Sequence, residues 1–185
     1  LRDTLDIRLI NWIQHLGAHP FPVPNNLFNE NSILDWLNII KPDAIILSGG
    51  NDIGIYEDRD STEELIIEFS KKNKIPLLGI CRGMQMLASI EGITLEKVSN
   101  HSKSMHSIKS LNNKIHFPRI INSYHNFRIK DCPSEYEVTA TSEDGTIEAI
   151  LHRKLPLSGW MWHPERENPF SEKLTKIAQK FFLIK

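Results

Sequence analysis

Pro76-Leu-Leu-Gly-Ile-Cys-Arg-Gly-Met-Gln-Met-Leu87 decides the fold. Its first residues are a short apolar run of the kind that forms a buried strand, and a helix-period pattern starts right after Cys81. At the junction stands Gly79-Ile80-Cys81-Arg82-Gly83, a cysteine with glycine two residues away on each side. A sharp strand-to-helix turn needs small neighbours, and it lifts the central side chain clear of the sheet edge. This is the nucleophile-elbow pattern with Cys in place of Ser. The turn also sets Cys81 at a helix N-terminus, where the macrodipole favours thiolate over thiol. The competing reading is a buried structural cysteine.

Outward from the elbow, strand and helix alternate through the first half of the chain. Thr4–Leu16 carries apolar residues at Leu5, Leu9, Trp12, Ile13 and Leu16 and reads as an amphipathic helix. Phe21-Pro22-Val23 reads as a short edge strand, Ser32 as the cap of a helix through Ile39, and Ala44–Leu47 as a buried strand. A further helix starts at Ser61 or Thr62, with Leu65, Ile66 and Phe69 facing inward. Such alternation predicts an α/β fold with a parallel sheet. In the second half, Thr94–Val98 is a weak β-like piece. Better strands are expected at Ile120–Ser123, Glu135–Thr141, Thr146–Leu151 and Leu157–Trp162. Asp144-Gly145 joins the second and third of these as an antiparallel hairpin. Ser171–Phe182 closes the chain as a helix, and Ser102–Ile115 reads as loop-rich.

Composition narrows the function. The chain has 185 residues, 40% hydrophobic and 24% charged, which suits one soluble domain over residues 1–185. A formal net charge of −1 gives no electrostatic case for nucleic acid or an acidic membrane surface. No apolar run is long enough to cross a bilayer, and no signal-peptide pattern opens the chain. Two cysteines, Cys81 and Cys132, are too few for a disulfide framework and fit a reducing, cytoplasmic setting.

A cysteine nucleophile needs a base, and the base needs a partner to orient it. Among eight histidines, His163 has the best context, because Gly159-Trp160-Met161-Trp162 can carry it to the sheet edge that holds the elbow. Glu165, two residues on, can accept the other imidazole N–H. Ser48-Gly49-Gly50-Asn51-Asp52 follows a strand, so the Gly50 N–H and the Arg82 N–H are the candidate donors to an oxyanion. A glycine pair there is otherwise an ordinary tight turn.

Taken together, Leu47-Ser-Gly-Gly-Asn-Asp52, Gly79-Ile-Cys-Arg-Gly-Met-Gln85, Asn122-Ser-Tyr-His125 and Trp162-His-Pro-Glu165 resemble the class I glutamine amidotransferase superfamily. Within it they are similar to the gamma-glutamyl hydrolase-like branch. The resemblance implies a three-layer, flavodoxin-like sandwich with a mostly parallel central sheet. It implies the Cys81–His163–Glu165 triad, a small-molecule γ-glutamyl substrate, and no metal or organic cofactor. It also implies that Gln85, Ser123, Tyr124 and His125 hold the glutamyl group. Members normally begin with a strand ahead of the first helix, so the sheet of this chain, which starts at Leu1, is expected to lack that strand. Lys103, His106, Lys109 and Arg166 leave two readings: solvated charges, or recognition of an anionic leaving group such as a nucleotide diphosphate. The activity implied is release of glutamate and an amine. The alternatives are a glutaminase subunit passing ammonia to a synthase partner, or a non-catalytic interaction domain, and a homo-oligomer fits any of them.

Overall fold

The computed structural model describes residues 3–27 and 29–184. Helix α1 (Ile7–His15) opens on Asp6, whose carboxylate accepts the Arg8 N–H. Helix α2 (Glu30–Ile40) is capped in the same way by Asn29 and stops where Lys41 turns left-handed. Strand β1 (Ile45–Leu47) leads to α3 (Glu57–Asn73), β2 (Leu77–Ile80) and α4 (Arg82–Ser89). Then come β3 (Leu95–Lys97), β4 (Ser102–Ser110), β5 (Ile120–Tyr124), β6 (Phe127–Ile129), β7 (Tyr136–Ser142), β8 (Ile147–His152), β9 (Leu157–Trp160) and α5 (Glu172–Phe182).

Seven strands form one sheet in the order β1-β2-β9-β8-β7-β4-β5, and β3 pairs with β6 alongside it. The α/β class expected from the sequence is what the structure shows. Parallel pairing is narrower than expected, because only β1, β2 and β9 run parallel and every later pair is antiparallel. The cause is connection length: no helix intervenes between β3 and β9, so those strands return through short turns, which permit only antiparallel neighbours. The Asp144-Gly145 hairpin joins β7 to β8 as predicted.

Alternation along the strands sends side chains to two cores. On β2, Leu78 and Ile80 pack with Trp12, Leu16, Trp160, Leu174 and Phe182 beneath α1 and α5. Leu77 faces the other way, among Ile33, Leu37, Ile67, Met84 and Leu87 beneath α2, α3 and α4. The result is helix, sheet and helix in three layers.

Three local readings change. Phe21–Val23 forms no strand, since Pro20, Pro22 and Pro24 remove alternate backbone donors; among the described residues nothing pairs with the outer edge of β1. Helix α3 begins at Glu57, a turn early, with Glu57, Asp58 and Asp60 in its first turn where acids suit the dipole. Ser102–Ser110 is a nine-residue strand rather than a loop, because β5 and β7 supply ladder partners that its own Ser and Lys side chains do not advertise. No helix among the described residues is long and apolar enough to cross a membrane.

Candidate active site

The register of the parallel strands assembles the site. Ile80 pairs with Trp160 as the last step of the β2–β9 ladder, and the Cys81 N–H extends it by donating to the Trp160 carbonyl at 2.7 Å. Cys81 and His163 therefore leave neighbouring strands at the same C-terminal edge, where β1 also ends and hands over to Ser48-Gly49-Gly50.

Cys81 has φ 50° and ψ −102°, a strained left-handed setting for a residue with a side chain. The glycines make that turn possible. A Cβ on Gly79 would lie 2.7 Å from the Met84 nitrogen, and one on Gly83 would lie 2.7 Å from the Leu47 Cβ. The thiol is almost fully buried, and that burial pushes it up to about 12. The Arg82 backbone N–H acts in the opposite direction through a hydrogen bond to the sulfur, while the nearby Glu165 carboxylate adds to the rise. Thiolate favoured by the α4 dipole is thus not the resting state here: removal from water outweighs one helix terminus.

His163 is buried and held from several sides. Its Nδ1 lies 2.6 Å from Glu165 Oε1, which fixes the proton on that nitrogen and leaves Nε2 with its lone pair. Asn122 clamps its backbone, accepting the His163 N–H at 2.9 Å and donating to the His163 carbonyl at 2.8 Å. A Cβ on Gly49 would stand 2.6 Å from His163 Cε1, so glycine there makes room for the ring. Tyr124 meets the imidazole edge-on at 5.5 Å, and the Arg166 guanidinium covers the Tyr124 ring at 4.4 Å.

The expected substrate-binding residues divide. Gln85, on α4 one turn past Cys81, is buried and donates from Nε2 to the Phe127 carbonyl at 2.9 Å. Tyr124 is partly exposed beside His163. Ser123 is fully buried, its hydroxyl donating to the His101 carbonyl. The His125 imidazole is buried against His101, 3.1 Å away. Lys103 and Lys109 are exposed on β4, whereas His106 turns inward to the Glu148 carboxylate at 3.2 Å.

The class-I glutamine amidotransferase family profile matches residues 4–183. The chain belongs to that family. Among its relatives is a gamma-glutamyl-CDP-amidate hydrolase from Campylobacter jejuni, 38% identical over 156 residues that make up 81% of this chain and 74% of that protein. A glutamine-hydrolyzing GMP synthase subunit from Pyrococcus furiosus is 28% identical over 163 residues, 85% of this chain and 82% of that one. The fold is shared with the structure of a GMP synthase-type subunit from Thermoplasma acidophilum at a TM-score of 0.77, with 21% identity over 98% of this chain and 88% of that one.

Several residues of this candidate site escape a reading of the sequence. Helix α3 sends Arg59, Asp60 and Glu63 beneath the glycine loop. The Arg59 guanidinium donates to the Ser48 carbonyl at 2.9 Å and the Gly49 carbonyl at 3.2 Å, and pairs with Glu63 at 2.8 Å. Asp60 accepts the Gly54 N–H at 2.7 Å. The Arg82 side chain is buried in ion pairs to Asp60 and Glu63. The loop and the elbow, which carry the two candidate oxyanion donors, are therefore braced by one charge network. Its acidic and basic residues look like a solvated helix face in sequence. Asn122 did carry a signal, as the residue leading Ser-Tyr-His, but its partner lies 41 positions away.

Proposed function

We propose that this amidotransferase is a cysteine hydrolase that cleaves a γ-glutamyl amide, with γ-glutamyl-CDP-amidate as its substrate. The supporting observation is the strained Cys81 elbow beside the Glu165-bound His163, on adjacent strand ends. The Cys81 sulfur bonds to the γ-carbonyl carbon as His163 Nε2 takes the thiol proton. The oxyanion is met by the Gly50 and Arg82 N–H groups. His163 then gives its proton to the leaving nitrogen as the C–N bond breaks, and a glutamyl thioester remains. Water, deprotonated by His163, adds to that carbonyl; the C–S bond breaks, the sulfur regains its proton, and glutamate departs. Gln85 and the Tyr124 end of β5 hold the glutamyl portion. No step requires a metal or an organic cofactor.

The nucleotide-linked leaving group is favoured by the Campylobacter relative and by Arg166, a cation stacked on Tyr124 beside His163. A panel of γ-glutamyl amides that includes the nucleotide-linked compound tests it, with Cys81→Ala as control. The nucleotide-linked amide is expected to have the highest kcat/KM, and Cys81→Ala to release no glutamate. Equal turnover of simple amides would remove the nucleotide, and turnover by Cys81→Ala would remove the mechanism. The relative named for GMP synthase supports a second reading, a glutaminase that passes ammonia to a synthase partner. Brisk hydrolysis of free glutamine only in the presence of such a partner would favour it.

A further inference from the structure

Strands β4 and β8 and two flanking positions bring a second cluster of chemistry together beside the candidate active site. His101 precedes β4, His106 lies on β4, His125 follows β5 and Glu148 lies on β8. Glu148 is 0% exposed, and neither of its carboxylate oxygens makes a hydrogen bond of acceptable geometry. Its Oε1 nonetheless lies 3.3 Å from His101 Nδ1, 3.2 Å from His106 Nε2 and 3.6 Å from His125 Nε2. His106 Nε2 is likewise buried without a hydrogen-bond partner.

The outer contacts of two rings fix their protons. His101 Nε2 is 3.0 Å from Asp144 Oδ2, and His125 Nδ1 is 3.0 Å from the Phe127 carbonyl oxygen. Both partners can only accept, so both of those nitrogens carry hydrogen. In the neutral rings, His101 Nδ1 and His125 Nε2 then face each other as bare lone pairs, 3.1 Å apart, next to a buried carboxylate. Such a gathering of acceptors needs positive charge among them. His101 Nδ1 and His106 Nε2, 3.3 Å and 3.2 Å from Glu148 Oε1, are spaced as donors sharing one centre. A tetrahedron with bonds of about 2.0–2.1 Å has edges of about 3.3–3.4 Å. The acceptor behind His101 orients its ring as the outer partner of a metal-bound imidazole does.

We propose that His101, His106 and Glu148, whose ligand atoms all lie within 4.8 Å of one another, bind a divalent transition-metal ion of the Zn²⁺ type, with water completing its coordination. Nitrogen donors with one carboxylate suit Zn²⁺ over Mg²⁺ or Ca²⁺. A cavity of about 490 Å³ lined by Asn100, His101, His106 and Asp144 gives the ion a way in. Bound there, it ties β4 to β8. The inference does not depend on the substrate proposed above. Sequence gives it no motif, because the donors are spread from position 101 to position 148.

Calorimetric titration of the chelator-treated full chain with zinc chloride tests this. One equivalent is expected to bind, with a rise in melting temperature. Binding should persist in a Cys81→Ser/Cys132→Ser double variant and weaken at least tenfold in Glu148→Gln. His106→Gln, at a partly exposed position, should weaken it similarly and keeps the test open if Glu148→Gln does not fold. Cobalt(II) in place of zinc should give the visible absorption of a four-coordinate nitrogen and oxygen site. Any of three results overturns the proposal: no stoichiometric binding by the folded chain, unchanged binding in folded His106→Gln, or binding lost with the cysteines.

Discussion

Cys81 combines two properties that pull apart: a backbone geometry that presents the sulfur at the sheet edge, and a burial that keeps it protonated up to about 12. Under the proposed mechanism, thiolate is therefore made during the reaction, by transfer to His163, rather than stored as a resting ion pair. The sign is direct, because a thiol held above ambient pH gains about tenfold in thiolate for each unit of rising pH. Iodoacetamide labelling of Cys81 in the free enzyme is expected to accelerate across pH 6–10 without a plateau. A plateau below pH 8 would mean a preformed thiolate–imidazolium pair. At this scale the site was legible in the chain where signals are local: glycines flank Cys81, and Glu165 stands two residues from His163. His125 was expected at the substrate site, but its ring lies against His101, a contact that only the pairing of β4 with β5 creates.

Between elements, the charge network from α3 to α4 bears most on the geometry of the candidate site. Arg82 is 2% exposed, and both of its carboxylate partners come from α3. Arg82→Leu keeps the backbone N–H proposed for the oxyanion but leaves Asp60 and Glu63 with an unbalanced, partly buried charge. Loss of one partner from such a set costs about 3–5 kcal/mol. Urea unfolding of Arg82→Leu is expected to show a loss of that order, and a change within about 0.5 kcal/mol, as at ordinary surface sites, would mean the network is solvated. Its members escape a sequence reading because burial of a charge depends on what packs over it. Strand β4 was hidden for a related reason. Its Ser and Lys residues have little intrinsic preference for a strand, and its neighbours on both sides decide the matter.

Across the whole molecule, one sheet carries two cores, and the elbow helix α4 packs on the face opposite α1 and α5. Since β2 and β9 contribute side chains to both cores, the layers are expected to unfold together. Trp12 is 0% exposed between α1 and the sheet, far along the chain from Cys81. Trp12→Ala is expected to cost about 3–5 kcal/mol. Far-UV circular dichroism and tryptophan fluorescence should still follow a single coincident transition, and two separated transitions would divide the chain into independent units. The alternating pattern of the first half announced this architecture. The reach of antiparallel pairing did not announce itself, because it depends on short turns joining strands of weak individual signal.

The central claim is that Cys81 carries the acyl group. Acid quenching during turnover of γ-glutamyl-CDP-amidate, followed by peptide mass spectrometry, examines that most directly. A glutamyl thioester on the peptide that bears Cys81, absent from Cys81→Ala, is the predicted result. Turnover with no adduct on that peptide, together with glutamate release by Cys81→Ala, would contradict the account.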